Sequence, residues 1–366
     1  MATLFGMRPA DPAACRLLEL GCGDGGNLVP MAYALPGSTF TGIDLSATAL
    51  ALHNLDLRRA DLTALPELGM FDYIVAHGVY SWIEPAARDA LLAACHEHLA
   101  PHGVAYVSYD VFPGGHAREI TRQMLRWHLR GVDDPAERIA GARALLTAVA
   151  EAGQPQAQWA LGQSDPALYH DELAEHHEAV LFADFVAHAA RHGLQFLAEA
   201  DVWEMQAGIL PPGFAEDLIA REQYLDFFRG RMFRQTLLCH ADVERRDPSP
   251  EAVAGILGVS ERDADAALRA YLTRQIELHV WAPDLPAEPS ERPVASALAR
   301  LQAAEGTRIT TLRHRTVEVP DELGRRLITL LDGTRDRAAL VRELGRPADE
   351  LERSLQGLLG IAVLER

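Results

Sequence analysis

Lysine is absent from this 366-residue chain: all 34 basic residues are arginine. Against them stand 52 acidic residues, for a formal net charge of −18. Positive charge is in short supply, and with it the basic stripe that a sequence-independent grip on DNA or RNA requires. Cysteine is scarcer still. The four present, Cys15, Cys22, Cys95 and Cys239, are widely spaced and form no C-x-x-C pair. That excludes a zinc ribbon or disulfide framework legible in the sequence, and it fits a reducing cytoplasm. No apolar run approaches the roughly 18 residues of a membrane helix, and no signal-peptide pattern opens the chain, so a cytoplasmic protein without membrane contact is expected. Internal repeats are missing too. What is plentiful is core material: 48% of the residues are apolar, too many for a disordered chain, in a length that suits two or three domains.

Residues 16–20 (RLLEL) read as a short buried strand entering a glycine loop, Gly21-Cys22-Gly23-Asp24-Gly25-Gly26. A helix over 27–34 follows, stopped by Leu35-Pro36-Gly37. Further strands are expected at 38–43, 55–60, 71–76 and 104–109, with helices from Ser46 to about Asn54 and from Pro85 to Leu99. Alternation with short connections predicts an α/β fold with a parallel, doubly wound sheet and a ligand at the carboxyl ends of its strands. Residues 118–180 are helical in composition and read as an insertion. Two strand-like stretches, 194–200 and 233–239, are expected to pair antiparallel and complete a seven-stranded Rossmann-like sheet near His240.

This reading sets a first domain at residues 1–241 and a second at 242–366. The second has helices at 250–257 and 260–273, a strand-like 277–281, a connector over 283–293 holding four prolines, and a tail of short helices ending strand-like at 360–364. It suggests a helix-rich, winged-helix-like module. Nothing in it offers a glycine loop, a metal cluster or a nucleophile, so it is expected to govern access of a peptide or partner rather than chemistry.

Gly21-x-Gly23-x-x-Gly26 satisfies the dinucleotide fingerprint. Its place between strand and helix indicates a cofactor loop, and charge decides which cofactor. Glu19 and Asp24 would repel a pyrophosphate at the helix N-terminus. S-adenosylmethionine carries no phosphate, and its sulfonium and ammonium favour acidic neighbours. Asp44, ending the second strand, is placed to accept ribose hydroxyls. Asp61, with Leu62 after it, is placed to receive an adenine amino group. Helix capping is the plain alternative for both aspartates.

These residues carry a resemblance. Leu18 to Asn27, Gly42-Ile43-Asp44 and Ala60-Asp61-Leu62 resemble a class I S-adenosylmethionine-dependent methyltransferase. Residues 76–82, 103–109 and 233–240 resemble more narrowly the bacterial methyltransferases with a methyltransferase regulatory domain, which include rickettsial-type protein-lysine methyltransferases. Residues 290–293 and 331–335 extend the likeness into the C-terminal module. The resemblance implies cofactor contacts from Glu19, Gly21, Gly23, Asp24, Asn27, Asp44, Leu45, Asp61, Leu62 and His77, with S-adenosylhomocysteine as product. Two departures stand out. This chain starts fifteen residues before the first strand, where the family usually has some tens of residues that help close the pocket, and Gly115 replaces the family's usual aromatic.

Methyl transfer needs an acceptor lone pair aligned behind the sulfonium carbon. A lysine amine, with a pKa near 10.4, must be desolvated or met by a base. His77, Tyr80 and Trp82 follow the fourth strand; Tyr109, Asp110 and His116 follow the fifth. Tyr80 and Tyr109, with Trp82, are candidates for an aromatic wall against a methylammonium, and His77 for a general base; each has packing or structural hydrogen bonding as its alternative. His188 and His192 share a helical face at i, i+4 beside His170, His176 and His177, but no H-E-x-x-H is present and no metal is expected. The sequence therefore points to an enzyme that N-methylates lysine in a protein or peptide. A small-molecule methyltransferase of specialised metabolism and a catalytically reduced cofactor-binding regulator stay open beside it. The sequence leaves the oligomeric state undetermined.

Overall fold

A computed structural model describes residues 1–46, 50–214, 217–276 and 284–366. The strand-like stretch at 277–281 lies outside them. The main sheet contains, in chain order, β1 (Arg16–Leu20), β2 (Thr39–Asp44), β3 (Leu50–Leu52), β4 (Leu55–Arg59), β5 (Phe71–Ala76), β6 (Leu99–Asp110), β7 (Leu194–Glu199) and β8 (Phe233–His240). Their spatial order is β3-β4-β2-β1-β5-β6-β8-β7. β1 lies between β2 and β5, parallel to both, and is buried at four of its five residues. That double burial is why, past the exposed Arg16, it is apolar at every residue but Glu19. β8 inserts antiparallel between β6 and β7, closing the expected seven strands.

The eighth strand corrects the sequence reading. In place of a helix reaching Asn54, β3 pairs antiparallel with β4 around the two-residue turn His53-Asn54. The Asn54 side-chain amide lies near the carbonyl oxygens of Ala32, Leu35 and Ser38 at 3.0, 3.4 and 3.2 Å. These are contacts with the segment around the first helix, and local propensity cannot register them.

The helices that follow are α1 (Leu28–Ala34), α2 (Pro85–His98), α3 (Gly114–His128), α4 (Pro135–Glu151), α5 (Pro155–Leu161), α6 (Asp165–Ala167), α7 (Phe182–Arg191) and α8 (Leu218–Arg229). α2 and α7 cover one face of the sheet, packing Leu91, Cys95, Phe185 and Ala189 against Ile74, Ala76 and Val107. α1 seals the other face with Leu28 against Leu17, Phe40 and Leu57. α3, α4 and α5 bury Leu125, Ala142, Leu146 and Ala157 together in a cluster of their own, so the inserted segment is a small helical layer as expected. α8 is tied to the sheet by Arg234 of β8, which is fully buried and meets Glu199, Glu222 and Asp226 at 2.7, 3.3 and 2.9 Å.

Packing divides the chain later than residue 242. α9 (Pro250–Leu257) and α10 (Glu261–Leu272) place Val253 and Ala264 in one cluster with Leu4, Phe5, Phe196 and Leu197, so they belong to the layer over β7. The C-terminal module has a separate core of residues from Ala295 to Leu364. It contains β9 (Val294–Ala295), α11 (Ala297–Glu305), the hairpin of β10 (Arg308–Thr310) and β11 (Thr316–Glu318), α12 (Glu322–Leu330), α13 (Arg337–Leu344), α14 (Ala348–Gly360) and β12 (Leu364–Glu365), the last paired with β9. Ser296, Asp321 and Asp336 cap α11, α12 and α13 by accepting from the N–H groups of Ala299, Gly324 and Ala339, each cap being worth about 1 kcal/mol. The module touches the first helix: Tyr33 of α1 donates to Glu365 at 2.7 Å and accepts the Ala297 N–H at 3.1 Å. Among the described residues no helix is long and apolar enough to cross a membrane.

Candidate functional site

The carboxyl ends of β1, β2 and β5 converge on the glycine loop. Gly21 and Gly23 both have positive φ, 80° and 56°, the region that side chains resist. At Gly21 a Cβ would collide with Val79, which packs tightly behind the loop. A Cβ on Gly23 would meet nothing within 4 Å, so that glycine leaves open space over the loop, where a ligand can lie against the backbone.

The loop's amides are already engaged by carboxylates. The Gly23 N–H donates to Asp44 Oδ2 at 3.0 Å and the Gly26 N–H to Asp24 Oδ1 at 3.0 Å. A pyrophosphate would have to displace both. Asp44 also receives the Ser46 N–H and hydroxyl on Oδ1, at 2.8 and 2.7 Å. Partial burial works against its ionisation, but these hydrogen bonds outweigh it and hold the carboxyl below its ordinary pKa. Asp44 stands ionised and oriented as a double acceptor, which suits a ribose diol.

Glu19 is the most perturbed acid at the site. It is 3% exposed; Oε1 accepts from the Asn27 amide at 3.1 Å, while Oε2 is buried with no partner among the described residues. Burial pushes its pKa up to about 7, against the hydrogen bond from Asn27. A buried carboxylate oxygen without a donor is a place for a cation. An α-ammonium group fits it, and its charge would ionise Glu19 fully. The donor set thus fits S-adenosylmethionine: Glu19 for the ammonium, Asp44 for the ribose, the open face of Gly23 between them.

Other expected contacts divide. Leu45 is exposed beside Asp44, and Leu62 packs partly buried on the core under Asp61. Asp61 is exposed and caps a short 3₁₀ turn through Oδ1, which accepts the Thr63 N–H and hydroxyl at 2.8 Å each; the capping reading holds, and Oδ2 takes no part in it. Asn27, besides holding Glu19, offers Oδ1 to His314 Nε2 at 3.3 Å. His314 sits at the tip of the β10–β11 hairpin with φ 57°, so the C-terminal module reaches the cofactor loop. Sequence reasoning placed every such contact before residue 120; a residue 287 positions away leaves no local signal.

The acceptor-side candidates are redistributed. Tyr80 and Tyr109 are 3% and 1% exposed and both pack on Phe185 of α7, with ring centroids 5.0 and 4.0 Å from it. Burial raises the Tyr80 phenol to about 12 and that of Tyr109 well above its ordinary value. Their hydroxyls are engaged by His188 and Thr236. Neither ring forms an open wall, because the helices that follow β6 cover them. Trp82 likewise lies under Arg118, Arg122 and His177. Gly115 is no pocket wall either: a Cβ there would sit 2.9 Å from that of Ala179.

His77 does face the site. Its Nδ1 lies 3.0 Å from the Tyr106 hydroxyl and 3.1 Å from that of Ser108. Ser108 also accepts the Gly78 N–H at 2.8 Å. Desolvation lowers the pKa of the His77 ring. Phe233 stands edge-on to His77 at 6.2 Å. Phe233 is exposed, as are Phe112, Phe227, Tyr224, Phe214 and Phe228, which touch one another in a chain of ring contacts. Tyr106 and His314 also line an apolar groove of about 430 Å³ with Leu17, Tyr73, Val75 and Leu237.

Three family models match the chain. Residues 18–105 match a methyltransferase domain, 164–240 a "predicted methyltransferase regulatory domain", and 291–357 the C-terminal winged-helix domain of PKMT. The uncharacterized protein RP789 of Rickettsia prowazekii is 35% identical over 272 residues, 67% of this chain and 49% of that protein. The chain thus spans about half the length of that relative. Trans-aconitate 2-methyltransferase of Deinococcus radiodurans is 35% identical over 105 residues, 27% of this chain and 39% of that enzyme. Among solved structures, PKMT2 from Rickettsia typhi in complex with AdoHcy superposes with a TM-score of 0.84 at 21% identity, covering 99% of this chain and 96% of that one. At that identity the likeness establishes a shared fold.

Proposed function

We propose that this chain, which joins a class I methyltransferase domain to a methyltransferase regulatory domain and a PKMT-type winged-helix domain, uses S-adenosylmethionine to methylate lysine side chains of a protein or peptide. The observation that carries the reading is the donor set at the glycine loop, the buried, unpartnered Glu19 Oε2 and the Asp44 carboxylate that holds the Gly23 N–H, in a chain that also matches a PKMT winged-helix domain.

The chemistry asked of the residues is modest. In the displacement the acceptor nitrogen gains a bond to the methyl carbon, the carbon–sulfur bond breaks, and the amine's proton leaves to water. Much of the acceleration is positional. Glu19 and Asp44 orient the donor, and His77 follows β5 at the same edge of the sheet. Desolvation against the exposed aromatic rings favours the neutral amine, and aromatic faces tolerate a methylammonium. The net charge of −18 draws a lysine-rich acceptor toward the surface.

The apolar groove beside Tyr106 and His314 favours a second reading. Its volume of about 430 Å³ lies within the range of small-molecule sites, and a trans-aconitate 2-methyltransferase is similar to 27% of this chain. Labelled S-adenosylmethionine incubated with the full chain and cell extract separates the two. Mass spectrometry locating the label on lysine supports the first reading, and because the chain has no lysine, such label lies on another protein. Label confined to small molecules overturns the protein acceptor and supports the second. Tight cofactor binding with no transfer to either would favour a regulator.

A further inference from the structure

α2 and the C-terminal end of α7 bring three ligand-type side chains together. Asp89 Oδ1 lies 3.2 Å from His188 Nε2 and 2.9 Å from His192 Nε2, and the three ligand atoms are within 4.8 Å of one another. His188 lies on α7 and His192 is the C-cap residue one helical turn further on. Asp89 comes from the facing helix, about a hundred residues earlier in the chain.

We infer that Asp89, His188 and His192 form a binding site for a divalent transition-metal ion of the imidazole-preferring kind, zinc foremost, which staples α2 to α7. Tetrahedral zinc with bonds of about 2.0–2.1 Å holds its ligand atoms roughly 3.3 Å apart. The two nitrogen–oxygen distances are already close to that edge, and the two imidazole nitrogens, within 4.8 Å of each other, close toward it by rotation of the two rings. Two imidazoles and one carboxylate leave at least one position for water, as in three-ligand zinc sites.

The surroundings favour the ligand form of His188. Its second nitrogen, Nδ1, is 2.8 Å from the Tyr80 hydroxyl. With Nδ1 donating to Tyr80, Nε2 turns its lone pair toward Asp89, the outer hydrogen bond that orients metal-bound histidines. The His188 and His192 side chains are 13% and 17% exposed, whereas Asp89 is 61% exposed, which gives an ion a path in from solvent. Without an ion, one carboxylate oxygen serves both imidazoles as acceptor, and that explains the cluster as the bland alternative.

Chelator-stripped full-length protein titrated with Zn²⁺ against a chromophoric competitor tests the site. One tight equivalent is expected, raising the melting temperature. His192→Gln and Asp89→Asn, whose side chains are the more accessible, should lose that equivalent while melting unchanged in chelator. Tyr80→Phe should weaken it about tenfold, the usual effect of removing such an outer bond. Mg²⁺ should not compete. Equal zinc affinity and stoichiometry in wild type and His192→Gln overturns the proposal, as does displacement of zinc by Mg²⁺ at equal concentration.

Discussion

His314 Nε2 donates to Asn27 Oδ1 across 3.3 Å, joining the tip of a C-terminal hairpin to the residue that holds Glu19. The same asparagine thus serves the buried acid through its amide and the distant module through its oxygen. If this contact pre-positions the loop, His314→Ala should weaken S-adenosylhomocysteine binding about two- to tenfold, the effect of one net hydrogen bond of 0.5–1.5 kcal/mol. Calorimetric titration reads it directly; an unchanged constant would show that the hairpin only rests on the loop.

Glu19 makes the cofactor-free protein sensitive to pH. Its carboxyl titrates near 4.3 in an unfolded chain and at about 7 in the fold. Between those values the unfolded chain releases the proton while the fold keeps it. Stability therefore falls as pH rises from about 4.5 to about 7, by on the order of 3–4 kcal/mol, and levels off above. Glu19→Gln should flatten this slope in denaturant titrations at several pH values. In the wild type, S-adenosylhomocysteine should bind more tightly at pH 8 than at pH 6, because its ammonium needs the ionised acid.

Asp44→Ala should cost cofactor binding roughly 1.5–3 kcal/mol, the range for hydrogen bonds to a charged group. The substitution also releases the Gly23 N–H, so the loss should come with a loosened loop, visible as faster amide exchange there. Affinity within twofold of wild type would remove Asp44 from the ribose.

Gly23→Val is expected to abolish cofactor binding in a chain that still folds. The space beside Gly23 is open, so a side chain meets no protein atom but fills the ligand's place; the left-handed backbone adds about 1–2 kcal/mol of strain. Circular dichroism with titration separates this outcome from unfolding.

Phe233→Ala, at an exposed position, should raise KM for a protein acceptor with little change in cofactor affinity. An equal change in both would mean that Phe233 supports the loop rather than the acceptor.

Much of this was legible in the residues. β1, the glycine loop and Asp44 are contiguous or nearly so, and an apolar run breaking into glycines has few other readings. β5 and β8 fall at their expected positions for the same reason. The helix placed up to Asn54 failed because Leu-Ala-Leu suits helix and strand alike, and an asparagine binding three carbonyls of another segment made the choice. Tyr80 and Tyr109 were read as site residues from their place after strand ends. That position leaves open which face covers a ring, and α7, some 70 to 100 residues later, covers both. Asp89 completes the histidine pair from about 100 residues away, a relation that spacing rules along one helix do not reach.

Tyr33 is held from two ends of the C-terminal module, by the Ala297 N–H and by Glu365, while its own helix begins just past the glycine loop. Two bodies joined in this way obey reciprocity. Should cofactor binding tighten or loosen the junction by some factor, any partner that grips the module in the favoured arrangement gains the same factor in affinity, and returns it to the cofactor. The winged helix would then let a partner distinguish a charged enzyme from a spent one, provided that the two forms of the cofactor press differently on that first helix.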